Sequence, residues 1–147
     1  MINGAKKELT IAASDILLDV LRREGYTGVK RGCGAGDCGA CTVICNGQAV
    51  VSCLMLAAQA DGAEITTIEG LASNGQLHPL QQAFIDHGAA QCGFCVPGMI
   101  LAAKAFLDEQ PHPTEQEVRA NLVGNLCRCT GYQKQVAAIM SVVKGSL

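Results

Sequence analysis

The pattern of apolar and polar positions changes character near the middle of the chain. In the first half, short apolar runs are separated by turn residues, and they predict strands at residues 8–12, 42–45, 49–52 and 64–68, with a hairpin turn at residues 46–48. A helix is predicted at residues 16–23, with Ser14 or Asp15 as its N-terminal cap. Gly25 ends this helix, and residues 54–58 are predicted to form a further short helix. A few strands with one crossing helix suit a β-grasp domain.

The second half carries apolar residues at helical spacing. Residues 73–76 have loop chemistry and separate the two halves. After them, four helices are predicted. Two lie at residues 78–87 and at residues 99–109, the second with Pro97 in its first turn. A third follows a capping box of Thr114 and Glu117, and the fourth lies at residues 136–143. The chain is therefore predicted to be an α+β protein with two domains, residues 1–74 and an all-helical unit of residues 75–147.

The composition limits what holds two such small domains together. The 147 residues include no Trp, three Phe and two Tyr, so a large aromatic core is not available. Domains of roughly 70 residues usually need staples such as metal sites. The formal net charge of −2 does not indicate a basic surface for nucleic acid or a polybasic patch for membranes. A hydrophobic fraction of 49% is high for a small free-standing protein, so partner subunits are expected to cover part of the surface.

The cellular compartment of the chain determines whether its nine cysteines are reduced or form disulfides. Residues 1–10 lack the apolar core of a signal peptide, and no apolar run reaches the roughly 18 residues that span a bilayer. A cytoplasmic location is therefore expected. In that reducing compartment, thiols are free to bind metal instead of forming disulfides.

Four cysteines in the first half have the spacing of plant-type ferredoxins. They are Cys33, Cys38, Cys41 and Cys53, and they are called the first thiol set below. Four glycines among residues 31–41 would disrupt a helix or a strand, but they suit a loop wrapped around a bulky cluster. The pattern predicts an iron–sulfur site. A zinc ribbon, or a glycine-rich loop with buried thiols, is the alternative interpretation.

Four further cysteines lie at predicted helix ends in the second half. They are Cys92, Cys95, Cys127 and Cys129, the second thiol set. Two short loops at helix ends can converge on one cluster, where helix N-termini favour negative charge. Taken alone, however, this spacing is also compatible with zinc or with a thiol redox motif.

Three motifs in this order resemble a known family. They are GCGAGDCGACTV (residues 32–43), QCGFCVPGM (residues 91–99) and GNLCRCTGY (residues 124–132). They are similar to motifs of the small iron–sulfur subunit of the molybdenum hydroxylases, the family of xanthine dehydrogenase, aldehyde oxidoreductase and carbon monoxide dehydrogenase. The resemblance implies a plant-ferredoxin-like β-grasp domain followed by a four-helix-bundle domain, each with one [2Fe–2S] cluster.

The resemblance also implies partners and an order of electron flow. A large subunit would hold the molybdopterin-type molybdenum cofactor and a medium subunit FAD, in a heterotrimer or a dimer of heterotrimers. Electrons would pass from molybdenum to the cluster on the second thiol set, then to the cluster on the first, and then to FAD. Gln91 matches the family's glutamine beside the pterin, and Cys129 matches the ligand closest to the pterin ring. No catalytic residue is expected on this chain.

Some residues depart from the family pattern or lie outside it. Family members usually carry several more strand residues before Ile2, so the first strand is expected to be short. Ala35 stands where an acidic or polar residue is common, and Gln135 replaces a common aliphatic residue. Cys45 belongs to neither thiol set and is expected to be a small buried thiol. The three histidines, His78, His87 and His112, have no ligand spacing and are expected at the surface or at helix ends.

These observations predict the electron-transfer subunit of a molybdenum-flavin hydroxylase. Overall resemblance favours a purine or another N-heteroaromatic substrate, while aldehydes and carbon monoxide stay open. Two alternatives also stay open. One is an independent two-cluster ferredoxin, and the other is a zinc-stapled interaction module with no redox role.

Overall fold

The computed structural model describes residues 1–145 of the chain. This part contains three strands, β1 (Thr42–Cys45), β2 (Gln48–Val51) and β3 (Ile65–Thr66). It contains five α-helices, α1 (Leu17–Arg23), α2 (Pro79–Asp86), α3 (Val96–Glu109), α4 (Glu115–Asn121) and α5 (Gln133–Gly145). Short 3₁₀ turns occupy Ser52–Leu54, Ala57–Ala60, Ile68–Gly70 and Leu122–Gly124. None of the helices within residues 1–145 is long and apolar enough to cross a membrane.

The sheet has the strand order β2-β1-β3, and both pairings are antiparallel. The predicted hairpin is confirmed, because Asn46 and Gly47 form a two-residue turn in which both φ angles are positive, 48° and 84°. The predicted strand at residues 64–68 is present only as Ile65–Thr66.

The strand predicted at residues 8–12 is wrong, since these residues have no regular structure. The N-terminus takes the place at the sheet edge instead. Ile2 forms a parallel bridge with Ile65, and the backbone amide of Asn3 donates to the Ile65 carbonyl at 2.8 Å. Residues 8–12 therefore have no ladder to join, and most of them are exposed.

The helix α1 begins without the predicted side-chain cap. Neither Ser14 nor Asp15 caps it: its N-cap is Ile16, which makes no side-chain hydrogen bond to the helix. The amide of Leu17 donates to the Met55 carbonyl at 2.8 Å, so backbone from the following segment satisfies the helix start. The end is as predicted, with Gly25 at φ 92° just after the helix. The short helix predicted at residues 54–58 is replaced by two separate 3₁₀ turns.

The predicted helices of the second half are confirmed with small shifts in their bounds. Pro97 is the second residue of α3. Thr114 and Glu117 form the predicted capping box of α4, and the Glu117 carboxylate accepts from the Thr114 amide at 2.7 Å. The last helix starts three residues earlier than predicted, at Gln133.

Two apolar cores are connected by α3. One core joins α2, α3, α4 and α5 through residues such as Leu80, Phe84, Met99, Val118 and Ile139. The other joins α1 and the sheet through Leu18, Leu21, Val29, Val43 and Ile65. A third, smaller cluster joins Ile44 of β1 to Leu101 and Ala105 of α3. The long helix α3 therefore packs on the sheet, and this packing brings the two cysteine-bearing loops together.

Candidate metal centres

The loop that carries the first thiol set is shaped by its glycines. Gly34, Gly36 and Gly39 all have positive φ angles, between 67° and 85°, which residues with a side chain rarely adopt. At Gly32, a Cβ atom would lie only 2.6 Å from the Cys38 sulfur. The glycines therefore let the backbone fold closely around the thiols, as a metal-binding loop requires.

The first thiol set consists of two neighbouring pairs. Cys33 and Cys38 interact with each other through their side chains, and so do Cys41 and Cys53. Cys33 is exposed and Cys38 is half-buried, whereas Cys41 and Cys53 are buried. Four thiols so divided into an outer and an inner pair match the two-plus-two arrangement that a two-iron cluster takes.

The backbone of this loop directs N–H groups at sulfur. The Ala35 amide donates to the Cys33 sulfur at 3.3 Å, and the Cys33 amide donates to the Cys38 sulfur at 3.4 Å. The Ala35 amide is the largest of the effects that lower the pKa of Cys33 to about 6. Burial raises the pKa of Cys41 to about 11, so this inner thiol needs a bound cation to ionise readily.

The second thiol set is also two pairs. Cys92 interacts with Cys129, and both are exposed; Cys95, which is buried, interacts with the half-buried Cys127. The backbone amide of Phe94 is the main cause of the lowered pKa of Cys92. Burial raises the pKa of Cys95 to about 12, and the adjacent Cys127 adds to this. In each set, therefore, one thiol of the outer pair, Cys33 or Cys92, has a lowered pKa, and one thiol of the inner pair, Cys41 or Cys95, has a raised pKa. The pKa of Cys129, the partner of Cys92, is raised, mainly by its side-chain hydrogen bond with Cys92.

Cys127 forms hydrogen bonds through both its sulfur and its backbone amide. Burial opposes its ionisation, but the Thr130 hydroxyl and nearby backbone amides outweigh burial and lower the pKa of Cys127. The Thr130 hydroxyl donates to the Cys127 sulfur at 3.0 Å. The Cys127 amide donates to the Tyr132 hydroxyl at 2.7 Å. Tyr132 itself has φ 64°, a conformation that is costly for a bulky residue and that is concentrated at functional sites.

The two loops interlock through backbone contacts. The Leu126 amide donates to the Cys38 carbonyl at 2.9 Å, and the Asn125 side-chain amide donates to the Gly39 carbonyl at 3.1 Å. Gly39 leaves no room for a side chain, because a Cβ there would lie 2.2 Å from the Gly124 carbonyl oxygen. A Cβ on Gly98 of α3 would likewise lie 2.3 Å from the Gly39 carbonyl oxygen. The two thiol sets are therefore adjacent sites on one framework.

The structure also shows the surroundings of the other residues singled out in the sequence. Gln91 is exposed, next to Cys92 and beside the outer pair of the second set. His78 caps α2 and accepts from the Leu80 amide at 3.2 Å, while His87 ends the same helix and His112 is exposed. Cys45 is half-buried on β1, less buried than predicted.

The sequence motifs did not reveal the residues that connect the thiols. Asn125, only 4% exposed, acts through a hydrogen bond to Gly39, 86 positions away, and Thr130 acts through a hydrogen bond to Cys127, three positions away. Asn125, Thr130 and Tyr132 all lie within the last motif, which gave only a weak signal for each of them. Within residues 1–145, no group of three or more His, Cys, Asp or Glu side chains is arranged to hold a single metal ion.

Known proteins resemble this chain along nearly its whole length. Residues 1–72 match the family described as a 2Fe-2S iron-sulfur cluster binding domain, and residues 67–140 match the [2Fe-2S] binding domain family. The chain is 51% identical over 144 residues to the nicotinate dehydrogenase small FeS subunit of Eubacterium barkeri, covering 97% of this chain and 92% of the relative. This chain belongs to the small iron–sulfur subunits of the molybdenum hydroxylases.

Other members of this family are similar over comparable lengths. The xanthine dehydrogenase iron-sulfur-binding subunit of Escherichia coli O157:H7 is 49% identical over 146 residues, which covers 97% of this chain and 91% of the relative. The crystal structure of quinoline 2-oxidoreductase from Pseudomonas putida 86 superimposes with a TM-score of 0.94 and 44% identity, over 99% of this chain and 91% of that one.

Membership of the family confirms the functional prediction at the level of the subunit. The chain is an electron-transfer component of an oxidoreductase, with two 2Fe-2S binding domains. The zinc-stapled module is thereby rejected. The relatives are subunits of larger enzymes, which also counts against an independent two-cluster ferredoxin.

Proposed function

We propose that the chain relays electrons from a molybdopterin centre on a large partner subunit, through two [2Fe–2S] clusters, to FAD on a medium partner subunit. The first cluster would be held by Cys33, Cys38, Cys41 and Cys53, and the second by Cys92, Cys95, Cys127 and Cys129. When bound, each cluster would supply a one-electron redox couple. The complex would be a heterotrimer, or a dimer of heterotrimers, in the cytoplasm.

The observation that carries the ligand assignment is the pairing of the thiols. In each set an outer pair and an inner pair lie side by side, on loops whose amides or hydroxyls donate to sulfur. Hydrogen bonds to sulfur stabilise the more negative, reduced cluster and raise its potential. The interlocked loops keep the two sites adjacent, which favours transfer between them because electron tunnelling weakens steeply with distance.

The direction of the relay rests on what surrounds the second set. Its outer pair, Cys92 and Cys129, is exposed, and Gln91 lies beside it, open to a partner. Large apolar side chains next to this set are exposed as well, Phe94 at 45%, Val123 at 75% and Leu126 at 55%. Exposed apolar groups around a site are typical of a surface that a partner covers. We therefore assign the second set to the molybdenum side, with Gln91 and Cys129 against the pterin.

The fold supports the proposed domain organisation. The four helices α2 to α5 surround one apolar core, consistent with a four-helix bundle in residues 75–147. Residues 1–74 combine the sheet with α1, consistent with a β-grasp domain of the plant-ferredoxin type. We propose the boundary between the two domains at the turn that contains Asn74, where φ is 52°.

The substrate is proposed from the names of the relatives. Nicotinate, xanthine and quinoline, which appear in those names, all contain a nitrogen heteroaromatic ring. We therefore propose a purine or another N-heteroaromatic compound as the substrate of the complex. This chain itself supplies no group to the reacting atoms.

Purification of the untagged complex from its native source tests the proposal. We expect large and medium subunits to co-purify, four irons per copy of this chain and two distinct [2Fe–2S] EPR signals after dithionite reduction. Anaerobic mixing with nicotinate, xanthine or quinoline should bleach the iron–sulfur absorbance faster than mixing with benzaldehyde. Two clusters on a chain that purifies alone would contradict the relay, and faster bleaching by benzaldehyde would contradict the substrate class alone.

A further inference from the structure

Gln135 is a fully buried polar side chain beside the second thiol set. Its exposed fraction is 0%. The Nε2 group donates to the Ala89 carbonyl at 2.8 Å and to the Thr130 hydroxyl oxygen at 2.9 Å. Because a carbonyl oxygen only accepts, Ala89 determines which end of the amide is the nitrogen. The Oε1 atom has no donor among the described residues, so the buried amide is only partly satisfied.

The hydrogen bonds that the Thr130 hydroxyl accepts determine where its own proton is donated. A hydroxyl has two acceptor lone pairs and one proton. One lone pair accepts from Gln135 Nε2, and the other accepts from the Tyr132 amide at 3.4 Å. The proton is therefore donated to the Cys127 sulfur, at 3.0 Å. The chain of donors runs from Gln135 to Thr130 and ends on Cys127.

We propose that Gln135 is a positioning residue that locks the Thr130 hydroxyl as a donor to Cys127 and thereby raises the reduction potential of the second cluster. The inference rests on the proposed function, because it requires a cluster on Cys127. Without the Gln135 donor, one lone pair of Thr130 is open and the hydroxyl rotates away from sulfur for part of the time. The reduced cluster then loses part of a hydrogen bond that favours its extra negative charge.

The test is an EPR-monitored redox titration of the intact complex. Gln135→Leu should lower the midpoint potential of the second cluster, shifting its reduction equilibrium by about threefold to tenfold, the range expected for one hydrogen bond. A tenfold shift is 59 mV for a one-electron couple. The first cluster should keep its potential and serves as an internal reference. Gln133→Leu, at an exposed position on the same helix, is the matched control and should shift neither potential.

A double-mutant cycle separates positioning from mere packing. Thr130→Val should lower the potential at least as much as Gln135→Leu, and the double variant should match Thr130→Val alone, because Gln135 acts only through Thr130. An unchanged potential in Gln135→Leu, or additive shifts in the double variant, would overturn the inference. If the leucine variant does not assemble, Gln135→Met keeps an unbranched side chain without the donor, and the same criteria apply.

A measurement on the unaltered complex gives an independent check. Electron-nuclear double resonance on the reduced second cluster should detect an exchangeable proton that disappears in deuterated solvent and is missing in Thr130→Val. Absence of that proton would overturn the inference while the cluster signal itself is present. Absence of the cluster signal would instead contradict the proposed function.

Discussion

The backbone amide of Leu126 donates a 2.9 Å hydrogen bond to the carbonyl oxygen of Cys38. Leu126 immediately precedes Cys127 in the chain, so one hydrogen bond connects a cysteine of the first thiol set to a cysteine of the second. All other steps between the two sulfur atoms are covalent bonds. The contact gives the proposed relay a continuous path between its two sites.

Removing this amide should slow electron transfer between the sites. Leu126→Pro deletes the N–H group, and Leu126→Ala keeps it, while both remove the same exposed side chain. We expect the proline variant alone to transfer electrons more slowly and to lose about 0.5–1.5 kcal/mol of stability from the broken hydrogen bond. Freeze-quench EPR after substrate mixing measures the rate. Equal rates in the two variants would show that the Leu126 amide is not on the path.

Substitutions at Gly39 should separate the two loops. Gly39→Ala introduces a Cβ within 2.2 Å of the Gly124 carbonyl oxygen, on backbone with φ 67°. Gly47→Ala is the matched control, because its φ of 84° is also positive but nothing lies within 4 Å of the new atom. The free energy of unfolding of this control variant should fall by about 1–2 kcal/mol from backbone strain alone.

The Gly39 variant should lose more stability than the control, since its Cβ meets backbone that cannot move without displacing Asn125. Thermal unfolding of the assembled complex measures both effects. Similar losses in the two variants would mean that the loops are not tightly interlocked.

The ligand assignment predicts different effects for two cysteines that lie eight positions apart. Cys53→Ser should remove the first cluster and halve the iron content, because Cys53 is buried beside Cys41 in the inner pair. Cys45→Ser should keep both clusters, since Cys45 lies on β1 outside both sets. Iron analysis and EPR of the reduced proteins distinguish these outcomes. Loss of a cluster signal in the Cys45 variant would require a different ligand set.

The parts of the fold that could be predicted from the sequence depend on residues that are close together in the chain. The Asn46-Gly47 turn and the Thr114–Glu117 capping box involve residues close in sequence, so their patterns led directly to the hairpin and to α4. The strand at residues 8–12 was wrong because pairing at the sheet edge depends on a contact between Ile2 and Ile65, distant in sequence. The missing cap of α1 has the same origin, since Met55 satisfies the helix start from a separate segment.

In the candidate site, too, features local in sequence could be predicted and contacts between distant residues could not. Cysteine spacing within each motif indicated the thiol sets, and it suggested that two loops at helix ends converge. Which thiols form pairs, such as Cys92 with Cys129, is seen only in the structure. The contact between Asn125 and Gly39 joins residues 86 positions apart, and nothing in either motif indicates it. Gln135 was noted only as an unusual residue, because its hydrogen bond to Ala89 exists only once α5 has packed.

The order of electron flow is the central claim, and the Cys41→Ser complex tests it most directly. This change removes an inner thiol of the first set, which is a proposed cluster ligand, and leaves the thiols of the second set unchanged. After anaerobic mixing with substrate, freeze-quench EPR should show that the second cluster is reduced. The optical absorbance should show that FAD stays oxidised. Reduction of FAD at the rate of the unaltered complex would contradict a relay that passes through the first cluster.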